Sequence, residues 1–196
     1  FFDSPIIKRS GVGEAFRQTY LREAGDVNPF DARAVVFDGP EDYRARIADP
    51  SLEIAERCIL VMRGCGTLGY PGSAEVVNMA PPAELVKRGV TSLPCMGDGR
   101  QSGTSASPSI LNMSPESAAG GGLSLMRTGD RVRVDLNARR IELLVDEAQL
   151  ARRRAEAPPS VPESQTPWQE IYRQFVGQLS TGGCLEPATL YLKVIE

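Results

Sequence analysis

A segment rich in serine, threonine and glycine, residues 97–122, carries the side chains best suited to chemistry. Ser102, Thr104, Ser105 and Ser107 cluster around Gly103. A serine hydroxyl is a weak base unless a neighbouring base or cation lowers its pKa, and the chain contains no histidine. A metal ion is the physical alternative, because its charge stabilises an alkoxide or a bound hydroxide. The segment therefore predicts a metal-assisted hydroxyl, with an ordinary loop of turn glycines as the alternative.

A second glycine-rich loop, residues 64–72, leads to Glu75. Glu75 and Asp98 are the carboxylates nearest to the two loops, and Mg²⁺ prefers oxygen ligands, with one or two carboxylates among them. Arg63 and Arg100 are candidates for binding a substrate carboxylate through paired N–H groups, and Asp98 is a further candidate for contact with the substrate. Simpler roles are a turn residue for Asp98, a first-turn helix acid for Glu75 and an ordinary ion pair for each arginine.

Short apolar strands precede both loops. Residues 34–37 and 58–62 are apolar runs too short for helices, and residues 90–100 predict a third strand that enters the serine-rich loop. Because loops at strand ends commonly build sites, we expect residues 64–75 and 97–107 to meet at one end of a β core.

The other elements complete a strand-rich pattern. The stretches RVRVDL and IELLVD predict a hairpin, and Asp146 and Thr166 stand as N-caps before two helical segments. A helix is predicted over residues 13–23, another between Pro82 and Gly89, and a short structural helix from residue 114 to the triple glycine. These elements indicate one α/β or α+β domain with a mostly β core.

Composition excludes several classes. The 196 residues carry 22 basic and 25 acidic side chains and a net charge of −3, which disfavours nucleic-acid binding. No apolar run approaches ~18 residues, so no membrane span is predicted. The chain begins FFDSPIIKRS, without an initiator Met or a signal pattern, and is expected to be a fragment of a longer protein.

The cysteines form no ligand motif. Cys58, Cys65, Cys95 and Cys184 are widely spaced, without a CxxC pair. This spacing argues against zinc and against a cluster held by this chain. We expect reduced, partly buried thiols in a cytoplasmic protein.

Several segments in order resemble one family. DGRQSGTS, SPSILNMSPESAAGGG, TGDRVRVDL and VMRGCGTLGYPGSAEVVNM are similar to the C-terminal part of the dihydroxy-acid, 6-phosphogluconate and sugar-acid dehydratases. The terminal ESQTPWQEIYRQFVGQL looks most like the sugar-acid branch. The resemblance implies that residues 1–196 form a swivelling β/β/α domain, with a β-barrel-like core and flanking helices, which follows a larger N-terminal domain that binds the cluster.

The family's reaction assigns roles to individual residues. Its members are hydro-lyases that convert a 2,3-dihydroxy acid, here a sugar acid such as D-xylonate, to a 2-keto-3-deoxy acid. The resemblance makes Ser102 the base for the C2 proton, Thr104 its hydrogen-bond support and Glu75 a Mg²⁺ ligand. It also implies an iron–sulfur cluster, of the 2Fe–2S type, with ligands outside this chain, and a cytoplasmic homo-oligomer, a dimer or tetramer.

Three alternatives remain open. In the first two, the substrate is a branched dihydroxy acid or 6-phosphogluconate. The sequence shows no cluster of Lys and Arg near the loops, which disfavours a phosphorylated substrate. The third alternative is a binding module of the same fold without chemistry. A retained pair of Ser102 and Glu75 favours the enzyme, because a scaffold does not need either residue.

Overall fold

The computed structural model of the protein describes residues 6–7, 14, 29–76, 78–100, 109–135, 138–156 and 161–192. The helix predicted over residues 13–23 lies outside these ranges except for Glu14. Among the described helices, none has the length and apolar character needed to cross a bilayer.

A mixed seven-stranded sheet forms the centre of the described structure. Its strands, in chain order, are β1 Ile6–Ile7, β2 Phe30–Asp38, β3 Cys58–Arg63, β4 Cys95–Gly97, β5 Ser109–Leu111, β6 Arg131–Asp135 and β7 Arg140–Leu143. They lie in the order β1-β5-β4-β3-β2-β6-β7. Strands β2 to β5 are parallel to one another, whereas β1 pairs with β5, β6 with β2, and β7 with β6 in the antiparallel sense. The sheet curls into a half-barrel, which confirms the predicted α/β domain with a mostly β core.

Five helices flank the sheet in the described ranges. They are α1 Gly39–Arg46, α2 Ala83–Lys87, α3 Glu147–Glu156, α4 Pro167–Phe175 and α5 Glu186–Leu192. The predicted caps are confirmed: the Gln149 amide donates to Asp146 Oδ1 at 2.8 Å, and the Gln169 amide donates to Thr166 Oγ1 at 3.2 Å. The hairpin of β6 and β7 is also confirmed.

The helix predicted from residue 114 is wrong. The segment instead forms two 3₁₀ turns, Ser117–Ala119 and Gly122–Leu125. It folds back on itself, because the Gly121 amide donates to the Glu116 carbonyl at 2.9 Å. A Cβ on Gly121 would lie 1.6 Å from the Pro115 carbonyl oxygen, so this glycine permits a close backbone approach and does not serve as a helix stop.

Apolar side chains cover both faces of the sheet. On β3, Ile59 and Val61 belong to one core cluster, whereas Leu60 and Met62 belong to the other. A strand buried on both faces reads as a continuous apolar run, which explains the sequence CILVM. The same burial leaves the strand ends as the places where polar groups meet solvent.

A buried ion pair attaches α3 to the sheet. Arg153 donates to Asp130 Oδ2 at 2.6 Å and to Oδ1 at 2.9 Å, and also to the Leu125 carbonyl at 2.8 Å. The two side chains are only 7% and 10% exposed. The neighbouring Arg154 forms an exposed pair with Glu147 at 3.0 Å.

These adjacent arginines allow a matched test of stability. Arg153→Gln leaves Asp130 buried without its cation, and we expect the free energy of unfolding to fall by about 3–5 kcal/mol. Arg154→Gln removes only an exposed pair and should change it by less than ~1 kcal/mol. Urea unfolding of both variants beside the parent measures the difference, and equal effects would contradict it.

Candidate active site

Both glycine-rich loops begin at the same edge of the sheet. The parallel pairing of β2, β3 and β4 brings their carboxyl ends together, so that Asp38 at the end of β2 is a neighbour of Gly64 and Asp98, which follow β3 and β4. In open α/β sheets this edge is the usual place for ligand binding. The predicted meeting of the two loops is confirmed for residues 64–75 and 97–100, the part of the second loop that the structure describes.

Asp98 joins the two loops from inside the protein. Its Oδ1 accepts from the Cys65 amide at 2.8 Å, and its Oδ2 accepts from the Gly64 amide at 3.0 Å. The amide and hydroxyl of Ser117 donate to the same Oδ2 at 2.9 Å and 2.6 Å. Burial raises the pKa of the Asp98 carboxyl, and the hydrogen bonds from Ser117, Cys65 and Gly64 oppose that rise. The Asp98 side chain is 0% exposed. Its described contacts therefore position the loops, and the side chain is not open to a substrate in this structure.

A second buried carboxylate, Glu116, holds the middle of the first loop. Its oxygens accept from the amides of Leu68 and Gly69 at 2.9 Å and from the Gln178 side-chain amide at 2.9 Å. The Thr67 hydroxyl also lies 3.0 Å from Glu116 Oε1. Sequence reasoning missed this role, because Glu116 contacts residues 47 to 62 positions away and no local pattern signals such a pairing.

Glu75 lies beside the start of the serine-rich loop. Its backbone forms an isolated parallel bridge with Arg100, and Arg100 Nε donates to the Ser73 carbonyl at 2.6 Å. The Glu75 side chain is exposed, and no described residue donates a hydrogen bond to its carboxylate. Arg100 is also exposed. The structure thus places two of the predicted site residues next to each other.

Ser102 and Thr104, the hydroxyl residues of the prediction, lie outside the described residues. Their roles therefore stay predictions. Arg100, two positions before Ser102, is the last described residue of this loop.

Arg63 is engaged by the protein itself. Its Nε donates to Asp38 Oδ1 at 2.5 Å, and its Nη1 lies 2.9–3.3 Å from the carbonyl oxygens of Leu123, Ser124 and Met126. The side chain lines a cavity of about 770 Å³ between the start of α1, the first loop and α4. Neither Glu75 nor Arg100 is among the described residues that line this cavity. Arg63 therefore braces the strand ends beside the site.

The four thiols are free, as predicted, and Cys58, Cys65 and Cys95 are buried. The Cys95 thiol lies 3.4 Å from the Leu93 carbonyl, and the Cys65 thiol 3.9 Å from the Arg63 carbonyl. Burial, with smaller contributions from nearby carboxylates led by Asp98, raises the pKa of the Cys65 thiol well above its usual range. Within the described ranges no three Cys, Asp or Glu side chains form a metal-binding group. These thiols do not fit an iron–sulfur cluster, which needs thiolate ligands.

Comparison with known proteins identifies the fold unit. Residues 2–183 match the family model described as dihydroxy-acid/6-phosphogluconate dehydratase C-terminal. The chain belongs to the dihydroxy-acid/6-phosphogluconate dehydratase family. The glycine loops, Asp98, Glu116 and Glu75 all lie inside the matched residues.

Relatives within this dehydratase family differ in their similarity to the chain. It is 61% identical to D-xylonate dehydratase of Caulobacter vibrioides over 190 residues. This alignment covers 97% of the chain and 32% of that relative. It is 40% identical over 154 residues to L-arabinonate dehydratase of Rhizobium leguminosarum bv. trifolii, covering 79% and 27%. Against dihydroxy-acid dehydratase of Geotalea daltonii the identity is 34% over 178 residues, covering 90% and 30%. The chain thus spans about a third of the length of these family members.

Two serine substitutions test the role of Asp98. Ser117→Ala removes the hydroxyl that donates to the buried Asp98 carboxylate and also accepts from the Gly64 amide at 2.8 Å, and we expect a loss of about 1.5–3 kcal/mol in the free energy of unfolding. Ser124→Ala removes only a hydrogen bond to the Gly121 carbonyl at 2.7 Å and should cost about 1 kcal/mol. Chemical denaturation of both variants measures the two losses. A Ser117→Ala variant as stable as the parent would refute this role for Asp98.

Proposed function

We propose that this chain supplies one face of the active site of a sugar-acid dehydratase, which converts a 2,3-dihydroxy sugar acid to a 2-keto-3-deoxy acid. The observation that carries the proposal is the backbone bridge between Glu75 and Arg100. Since Ser102 follows Arg100 by two residues, the chain length limits the distance between their Cα atoms to about 7 Å. This proximity supports placing the predicted metal ligand and the predicted base in one site.

Glu75 is the residue of this chain that would hold Mg²⁺. Its carboxylate is exposed, has no described hydrogen-bond donor, and is a hard oxygen ligand of the kind that Mg²⁺ prefers. The described residues form no group of three Cys, Asp or Glu side chains that could hold a metal ion by itself. The other protein ligands would therefore come from the serine-rich loop and from parts of the enzyme beyond this chain. When bound, the ion would supply positive charge that favours a deprotonated hydroxyl.

The serine-rich loop provides the base. Ser102 would take the proton from C2 of the substrate, and the Thr104 hydroxyl would support it by a hydrogen bond. Arg100 uses its Nε for the Ser73 carbonyl, and its terminal N–H groups would bind the substrate carboxylate. Loss of the C2 proton and of the C3 hydroxyl yields an enol, which becomes the 2-keto-3-deoxy acid. The residues of this chain act at the C2 end of the reaction.

The departing C3 hydroxyl is left to other parts of the enzyme. The described thiols do not fit an iron–sulfur cluster, so we infer that the cluster of the family has its ligands outside this chain. The same argument makes the rest of the polypeptide a partner of this domain, since Glu75 alone does not complete a metal site. A cytoplasmic homo-oligomer remains part of the proposal.

Sequence similarity favours a sugar acid over a branched acid. The identity to D-xylonate dehydratase is 61%, against 34% to a dihydroxy-acid dehydratase. We expect the full-length enzyme to convert D-xylonate, or a closely related aldonate, with a kcat/KM at least ten times that for a branched 2,3-dihydroxy acid. Coupled detection of the 2-keto acid measures both reactions. A preference for the branched acid would overturn the substrate assignment.

Ser102 is tested by removal of its hydroxyl. In the full-length enzyme, Ser102→Ala should lower kcat by roughly 10²–10⁴-fold, the usual contribution of a positioned base. KM should change little, because the carboxylate contacts remain. Thr104→Val should cost less, since it removes only a supporting hydrogen bond. Near-normal turnover of Ser102→Ala in a cofactor-loaded enzyme would show that another group takes the proton.

Glu75 is tested by metal dependence. Glu75→Gln keeps the size of the side chain and removes its charge. We expect the Mg²⁺ concentration for half-maximal activity to rise beyond the ~10–100-fold that indirect changes around metal sites produce. Glu163→Gln, which removes an exposed charge beside the cavity, is the control and should match the parent. An unchanged Mg²⁺ requirement in Glu75→Gln would exclude Glu75 as a ligand.

A further inference from the structure

The side chains of Glu116 and Gln178 form one of the links between the middle of the glycine-rich loop and the C-terminal segment. The Gln178 side-chain NH₂ donates to Glu116 Oε1 at 2.9 Å, and the Glu116 backbone amide donates to Gln178 Oε1 at 2.8 Å. Gln178 therefore binds both the carboxylate and the backbone of the same residue. We call this pair the latch.

The Glu116 carboxylate of the latch is buried against the glycine-rich loop. Glu116 is 2% exposed, and no described cation pairs with it, so backbone N–H groups carry much of its stabilisation. A Cβ on Gly66 would lie 2.4 Å from Glu116 Oε2, and a Cβ on Gly69 would lie 2.6 Å from the Gly64 carbonyl oxygen. Glycine at these two positions lets the loop close around the carboxylate.

Further contacts join the C-terminal segment to the same loop. Arg173 Nε donates to the Leu68 carbonyl at 2.9 Å, and the Thr67 hydroxyl lies 3.0 Å from the Gly177 carbonyl. Outside the loop, the Ser180 amide donates to Ser114 Oγ at 3.2 Å, two residues before Glu116. The segment of residues 173–180 thus contacts the loop at Thr67 and Leu68 and also contacts the segment that carries Glu116.

Hydrogen bonds continue from the latch to Glu75. The Tyr70 amide donates to the Gly66 carbonyl at 2.9 Å, and the Ser73 amide donates to the Tyr70 carbonyl at 2.7 Å. The Ser73 carbonyl in turn accepts from Arg100, whose backbone is bridged to Glu75. These hydrogen bonds connect the loop around Leu68 and Gly69 to the backbone that carries Glu75.

We propose that Glu116 and Gln178 are positioning residues, which hold the glycine-rich loop so that the Glu75 carboxylate meets the metal ion. This inference rests on the proposed function of Glu75. Neither residue touches substrate or metal in the proposal; both act through the loop. Groups that orient metal ligands in this way commonly change metal affinity by ~10–100-fold when they are altered.

The test uses Gln178→Glu in the full-length enzyme. The variant sets two carboxylates against each other at the latch, and like charges in a buried site disfavour each other. We expect amide hydrogen exchange at Leu68 and Gly69 to become about tenfold faster or more. The Mg²⁺ concentration for half-maximal activity should rise ~10–100-fold, whereas kcat at saturating Mg²⁺ should stay within about threefold because Ser102 and Glu75 are unchanged.

Two further variants keep the test decisive. The exchange Glu116→Gln with Gln178→Glu restores one acid and one amide, and should return both hydrogen exchange and the Mg²⁺ requirement towards the parent. Gln174→Glu adds the same charge at an exposed position on α4 and should behave like the parent in both measurements. If Gln178→Glu is too unstable to assay, Gln178→Met, which removes the amide without adding charge, replaces it.

The outcomes separate the latch from the proposed function. Parent-like hydrogen exchange in Gln178→Glu would refute the latch itself. Faster exchange with an unchanged Mg²⁺ requirement would refute positioning, provided that Glu75→Gln raises that requirement. If Glu75→Gln also leaves the requirement unchanged, the metal role of Glu75 is wrong, and the inference that depends on it is overturned with it.

Discussion

The glycine-rich loop after β3 depends on two buried carboxylates that bind its backbone N–H groups. Asp98 accepts from Gly64 and Cys65, and Glu116 accepts from Leu68 and Gly69. A loop without regular secondary structure must still satisfy its backbone groups, and an isolated buried carboxylate is costly unless it is hydrogen-bonded. The same hydrogen bonds meet both requirements, because the backbone N–H groups of the loop stabilise the buried carboxylates and the carboxylates fix the conformation of the loop.

The sheet determines where the loop and the two buried carboxylates meet. Parallel pairing of β2, β3 and β4 brings three strand ends to one edge, and Arg63 joins two of these ends to the 3₁₀ turn Gly122–Leu125 through the carbonyls of Leu123 and Ser124. The loop that leads to Glu75 is therefore held at its start by the strand ends and along its length by contacts with residues 116–126. The C-terminal segment closes the remaining side through Arg173 and Gln178.

Local patterns predicted the elements better than the roles of the polar residues. The strands at 34–37 and 58–62 were predictable because short apolar runs leave few alternatives, and the caps at Asp146 and Thr166 were predictable because capping is a local interaction. The segment that begins at residue 114 has the local pattern of a helix start, yet the side-chain partners of Glu116 lie in different parts of the chain. Arg63 and Asp98 were candidate ligands of substrate, but their described contacts are with the protein. A structural acid and a catalytic acid are the same residue type in a sequence. Only the burial of the side chain and its hydrogen-bond partners distinguish the two roles.

The sequence by itself determined the strand-rich composition, the two glycine loops, the absence of histidine and the family, because these are properties of residue types and their order. Tertiary structure decided which polar groups face a ligand and which face the backbone. Glu75 and Arg100 became neighbours through a bridge between segments 25 residues apart in the chain, and Glu116 became a support for the loop through contacts with residues 67–69 and 178. Such contacts depend on strand order and on the close approach of backbones at Gly66 and Gly121, which no local pattern contains.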